Sequence, residues 1–330
     1  MQRINEGPGR WDVDGKFHTW QEIEAEYVRI FKKTILAAIR RQYRQNQPKK
    51  QKDFWEWCQK NTAEWLVAKP EKLADVIAEF HKKKYDVLLS KKGGKLRKKV
   101  ISAYGYERKR KKLVELAKML NVKTCPYCNM QYTLYAAAYK EGALVEEMAK
   151  FQFDHFFGKT KYPMLSMSMY NLIPSCASCN QGKLDDELSL EFHPYHAAIK
   201  DTFRFQVKNP IPLMTGGDTK DLDIEMIPKV DEDELQKYKE AFHIDALYTR
   251  HRDEARETFV RAYVYEYYKE LTNFSFLDDA DLAERIVKGF YPKEEDIEKR
   301  PLTKLHQDLW LQAKGWKELK KYGKQIEKRT

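Results

Sequence analysis

Five cysteines stand out first: Cys58, Cys125, Cys128, Cys176 and Cys179. Four of them form the pairs Cys125-Pro-Tyr-Cys128 and Cys176-Ala-Ser-Cys179. Each pair brings two thiolates within reach of one ion, and together they complete the tetrahedral four-sulfur shell that structural zinc favours. With all four positions filled by protein, such an ion holds structure and leaves no opening for substrate. A thioredoxin-like redox pair is the competing explanation. Two pairs separated by forty-seven residues favour zinc over it. The ion is expected to tie the start of the enclosed segment to its end, a stretch too short to build a large core. A secreted disulfide framework would use spread-out cysteines in a shorter chain. Cys58, within Phe54-Trp55-Glu56-Trp57-Cys58, reads as a small buried apolar residue.

Between the two pairs lies Phe153-Asp154-His155-Phe156. Apolar residues on both sides predict a short strand that delivers the polar pair to a defined place. Tyr170-Asn171-Leu172-Ile173-Pro174 follows, and Asn180-Gln-Gly-Lys183 comes directly after Cys179, entering a predicted short helix. Taken singly, each of these residues reads as a turn, a cap or a solvating side chain. Taken in this order and flanked by the cysteine pairs, they resemble the HNH (ββα-metal) endonuclease family in its D-H … N … N-x-x-K form. The match runs from about Cys125 to Lys183 and includes the zinc knuckle that many members carry. Asn180 stands where the name-giving pattern has histidine, a variant familiar in the family that suits a hard metal.

The resemblance implies a role for each position. Asp154 and Asn180 would offer oxygens to a catalytic Mg2+ or Mn2+ ion, which can neutralise charge on a scissile phosphate. His155, neutral at physiological pH, would remove a proton from the attacking water. Asn171 would hold the loop of the hairpin and orient His155. Lys183, on the same helical face as Asn180, would meet a phosphate oxygen. Lys159 and Lys161, in the spacer Gly158–Pro163, add basic residues beside the site that are expected to contact phosphate, with a solvated loop as the alternative. His193 and His196, close after the motif, read as structural, with contact to substrate or metal as the alternative, and His18, His81, His243, His251 and His306 have no partner visible in sequence.

The elements that must position these residues are mostly helical. Apolar residues at three- and four-residue steps predict helices over 20–45, 53–67 and 70–89, the last opened by Pro70. The first sixteen residues read as an irregular arm, and 91–95 as a basic turn. A lysine-rich helical stretch then runs through Leu113, Leu116 and Leu120. Segments shorten and prolines appear between 125 and 196. A strand is expected at Phe203–Val207, a loop over 209–218, and helices over 232–247, 252–271 and 301 onward. Tyr263, Tyr265, Tyr267 and Tyr268 on one of these read as core or interface, not as a base-stacking platform. The expected fold class is therefore α+β and mostly helical. A helical region spans 1–120, a zinc-stabilised ββα-metal nuclease core spans 121–200, and a second helical region spans 201–330.

The net charge of the 330-residue chain is +11. Between Lys82 and Lys112 fourteen basic residues face only Asp86 and Glu107, a local balance of +12 that leaves the remainder near neutral. Such a concentration is the footprint expected of a phosphate-binding surface. The eleven of the fourteen expected to contact phosphate are Lys91, Lys92, Lys95, Arg97, Lys98, Lys99, Arg108, Lys109, Arg110, Lys111 and Lys112. A solvated helix face is the alternative. No apolar run is long enough for a membrane span and no leader is evident, so a cytoplasmic protein is expected. The layout, with Arg300-Pro-Leu-Thr-Lys-Leu305 near its end, resembles more loosely the HNH proteins that accompany ATPases in Septu and retron-associated anti-phage systems. That implies an ATPase partner. DNA is the expected substrate; RNA or tRNA cleavage, and a zinc-stabilised nucleic-acid-binding module without catalysis, are the alternatives.

Overall fold

The computed structural model describes residues 3–4, 7–90, 94–184, 186–208, 210, 222–268 and 279–315. The fold is α+β: helices predominate, and the described strands form four two-stranded antiparallel sheets. The chain packs as two compact units. One comprises residues 3–126 and 133–199; the other comprises 1–2, 127–132 and 200–330. No described helix is long and apolar enough to cross a membrane.

The first unit opens with a hairpin, β1 (Gly9–Trp11) and β2 (Phe17–Thr19), where an irregular arm was expected. The Asp12 carboxylate makes the turn by accepting from the backbone N–H groups of Asp14 (2.9 Å) and Lys16 (2.8 Å). Helix α1 (Trp20–Tyr43) follows, started by a reciprocal capping box between Thr19 and Glu22. Its buried stripe of Ile23, Tyr27, Phe31, Ile35 and Ile39 packs against α2 (Lys49–Trp65).

The helix expected over 70–89 is two. Helix α3 (Pro70–Lys82) ends just before Lys84, which takes the left-handed conformation (φ 56°), and α4 (Tyr85–Ser90) follows. After the break Tyr85, Leu88 and Leu89 are buried, and the Tyr85 ring lies against Phe54 and Trp57, with centroids 5.1 and 5.3 Å apart.

Helix α5 (Lys95–Tyr104) packs on α1. Gly105, at φ +65°, turns the chain into the short helix α6 (Tyr106–Lys109) and on to α7 (Leu113–Leu120). An unforeseen hairpin, β3 (Tyr135–Lys140) with β4 (Ala143–Ala149), precedes the segment of greatest chemical interest. There β5 (Gln152–His155) pairs antiparallel with β6 (Leu172–Ser175), Asp154 opposite Ile173 and His155 opposite Leu172. Helix α8 (Ala177–Lys183) follows at once, with Cys176 at its N-cap.

In the second unit, β7 (Phe203–Val207) alternates buried and more accessible residues as expected and pairs with β8 (Ile224–Pro228). The helix read over 232–247 is interrupted at His243 (φ 51°), giving α9 (Glu232–Phe242) and α10 (Ile244–Tyr248). Helix α11 (Arg252–Tyr268) packs on α12 (Ala280–Lys288) and α13 (Thr303–Gly315). Tyr265 lies against Trp310, with ring centroids 5.6 Å apart. The side chains of Tyr263, Tyr267 and Tyr268 lie outside the described residues, as does most of the loop expected over 209–218.

Candidate functional site

The four paired cysteines converge. Their sulfurs lie within 4.8 Å of one another and all four residues are buried. A tetrahedral zinc shell with ~2.3 Å bonds sets sulfurs roughly 3.8 Å apart, so this cluster can hold such an ion with small adjustments. The backbone N–H of Met130 donates to Cys128 Sγ at 3.4 Å, the kind of outer hydrogen bond that steadies a thiolate ligand. Cys58 is buried elsewhere, its thiol pKa raised by burial, as befits an apolar filler.

A second locus lies on the β5–β6–α8 segment. Asp154 and His155 end β5, and Asn180 lies on the helix that starts at the second cysteine pair. All three line one cavity of about 220 Å3 together with Arg110 and Lys159. Asp154 is 3% exposed and His155 7%. His155 Nε2 lies 3.0 Å from the carbonyl oxygen of Ser166. A carbonyl only accepts, so Nε2 carries the proton and Nδ1 keeps a lone pair. Burial, the charge of Lys159 and that of Lys183 push the imidazole pKa down to about 3, against a weaker upward pull from the Ser166 carbonyl. The ring is therefore neutral at pH 7.

Asn171 is fully buried and clamps the loop after β5. Its Oδ1 accepts from Phe157 N (2.7 Å), and its Nδ2 donates to the carbonyls of Phe157 and Leu165 (both 3.1 Å). The backbone of Asn171 also accepts from Phe156 N at 3.1 Å. It thus fixes the segment between His155 and Ser166, the carbonyl that orients His155. Asn180 Nδ2 donates to Gln152 Oε1, which leaves the amide oxygen as the atom able to meet a cation.

Lys183 differs from expectation. It is 0% exposed and does not line the cavity. Its Nζ donates to the carbonyl of His155 (3.0 Å) and lies 3.6 Å from Asp154 Oδ2. Helical spacing put it on the face of Asn180, but packing turned that face inward at this point. It supports the site from beneath and does not reach toward a ligand.

The expected phosphate-binding cations divide into groups. Lys91 and Lys92 lie outside the described residues. Lys95, Lys98, Lys99, Arg110, Lys111 and Lys112 are exposed and Arg97 is half-buried. Arg108 and Lys109 bend back to cap α5, donating to the carbonyls of Ser102 and Tyr104. Lys159 pairs with Glu107 at 2.5 Å and Lys161 with Glu187 at 3.1 Å. His193 and His196 stay away from the cavity: the former is buried against Phe156, and the latter pairs with Glu71 at 3.4 Å.

Sequence reading missed Tyr106. Its ring meets His155 edge-on with centroids 4.5 Å apart, its hydroxyl donates to the Phe153 carbonyl (3.2 Å), and Lys159 Nζ lies 4.9 Å over its face. Burial raises the phenol to about 12, and Glu107 and Asp154 push the same way against Arg110. Gln152, Glu107 and Thr160 also line the cavity. Tyr106 lies far from His155 in sequence with no motif around it, so only packing could reveal it. Compared with family models, with curated proteins and with solved structures, the chain gives no match.

Proposed function

We propose that this protein is a metal-dependent endonuclease of the HNH (ββα-metal) type, hydrolysing phosphodiester bonds in nucleic acid, with a zinc ion on Cys125, Cys128, Cys176 and Cys179. The observation that carries this reading is one cavity that brings together the Asp154 carboxylate, the neutral His155 imidazole and the Asn180 amide with Arg110 and the Lys159–Glu107 ion pair. The strand–strand–helix order beneath them is the one the sequence resemblance requires.

The donor set fits a hard divalent cation. Asp154 and the free-facing amide oxygen of Asn180 are oxygen donors, and two protein ligands leave room for water and phosphate oxygens. When bound, Mg2+ or Mn2+ would supply charge neutralisation at the scissile phosphate and its leaving oxygen. His155 Nδ1 accepts a proton from water as the water oxygen bonds to phosphorus and the bond to the leaving oxygen breaks. Ser166 and Asn171 hold the ring for that transfer, and Arg110 supplies positive charge at the cavity wall. The wider role, an effector acting beside an ATPase, rests on the sequence resemblance.

The test is incubation of wild type and His155→Ala with supercoiled DNA and with structured RNA, each with Mg2+ or Mn2+. Cleavage of either polymer by the wild type alone supports the reading and identifies the substrate. Equal cleavage by both proteins, or none by either, refutes it.

A further inference from the structure

The near-neutral balance outside 82–112 conceals a second basic stretch. From Lys32 to Lys52 the chain carries Lys32, Lys33, Arg40, Arg41, Arg44, Lys49, Lys50 and Lys52 and not one acid. The fold gathers the later members at the corner where α1 ends and α2 begins. Arg40, Arg41, Arg44, Lys49 and Lys50 are exposed, and none of them is ion-paired with a described residue. Lys52 Nζ lies 5.4 Å over the ring of Tyr43, closing the corner.

Two features argue against a merely solvated face. Cations in the last turn of α1 suit the helix dipole, but Lys49, Lys50 and Lys52 crowd the first turn of α2, where no acid balances them and the dipole opposes them. The corner also adjoins the first basic segment: Lys99 Nζ on α5 donates to Gln45 Oε1 at 3.1 Å. Helix α5, about 15 Å long, then leads through Gly105 to Arg110, which lines the cavity.

We infer that the α1–α2 corner and the exposed face of α5 form one continuous phosphate-binding track for duplex nucleic acid, ending at the cavity. The inference rests on the nuclease reading for its endpoint, though binding along the track does not require cleavage. Contacts of side chains with backbone phosphates make recognition independent of sequence and steeply dependent on salt.

The experiment measures binding of a fluorescent duplex of about 30 base pairs, roughly three helical turns, across a salt series without added divalent metal. The proteins are wild type, Arg40→Gln/Arg41→Gln/Arg44→Gln, and Lys49→Gln/Lys50→Gln. Each lost contact should flatten the logarithmic salt slope by ~0.9, so the triple variant should lose up to about 2.7 and bind at least about tenfold more weakly. Circular dichroism melting should be unchanged, since all five side chains are exposed. Wild-type affinity and slope in both variants would overturn the track. So would loss of binding to phosphatidylserine vesicles with duplex binding intact. Corner-dependent binding without any cleavage would keep the track and remove the nuclease reading; cleavage with corner-independent binding would do the reverse.

Discussion

Lys183 donates to the main-chain oxygen of His155 from a fully buried position, so the helix after the second cysteine pair is bonded to the strand that carries the candidate base. The same ammonium stands 3.6 Å from Asp154. Replacing it by methionine removes a buried cation from beside a buried carboxylate, and such losses cost about 3 kcal/mol. Lys183→Met should therefore unfold at lower urea and cleave at least tenfold more slowly. Its affinity for duplex should stay at the wild-type value. A phosphate-contacting lysine would instead show weaker binding.

Asn171→Ala strips three hydrogen bonds from one buried side chain and leaves Phe157 N without its acceptor. An orphaned buried donor costs ~1–3 kcal/mol, so the midpoint of urea unfolding should fall accordingly. Cleavage should fall further than stability does, because Ser166 and His155 lose their fixed separation. Equal wild-type stability would show that the loop holds itself.

Tyr106 separates two contributions. Tyr106→Phe keeps the edge contact with His155 and loses only the bond to the Phe153 carbonyl; Tyr106→Ala loses both. The first should cleave within a few-fold of wild type. The second should lose roughly 10²-fold, the cost of a misplaced reacting group. Single-turnover rates at saturating protein distinguish this from weaker binding.

Removing one sulfur from the cluster should weaken its hold on a metal ion. Cys176→Ser is expected to lower the metal content of purified protein from one zinc per chain and to reduce its melting temperature, since an incomplete shell binds weakly. Elemental analysis alongside calorimetry checks both. Full zinc occupancy with unchanged melting would refute the four-sulfur assignment.

His306 sets a pH dependence in the second unit. It is half-buried between Thr258 and Phe290, with Nε2 3.6 Å from Glu254, and loss of solvent holds its pKa at about 4 against the ordinary 6.5, with Arg300 pushing the same way. Between those values the unfolded chain binds the proton and the folded chain does not. Stability is therefore full above about 6.5 and falls as pH drops toward 4, by up to ~3 kcal/mol. Urea titrations at pH 7 and pH 4.5 should show a smaller difference in His306→Gln.

What could be read in the sequence follows from distance along the chain. Cysteine spacing, the alternation of Phe203–Val207 and the phase of Ile23, Tyr27 and Phe31 are local signals, and the corresponding elements form. The breaks at Lys84 and His243 were not legible because each flanking helix keeps an acceptable apolar pattern; the decision belongs to where Tyr85 and Ile244 are buried. Asp12 gives the opening hairpin its turn through side-chain bonds that composition alone does not announce. At the cavity, the polar residues were visible as types in order, whereas the inward turn of Lys183 and the approach of Tyr106 depend on the packed whole.

The opening hairpin carries one more implication. Arg10 donates to the carbonyls of Leu120 and Ile4, and Asn121 Nδ2 donates back to those of Trp11 and Asp12. These stitches fasten the end of α7 a few residues before Cys125. A chain trimmed to begin at Trp20 would keep every cysteine yet release that fastening, so zinc should exchange faster from it even while the ligand set is intact.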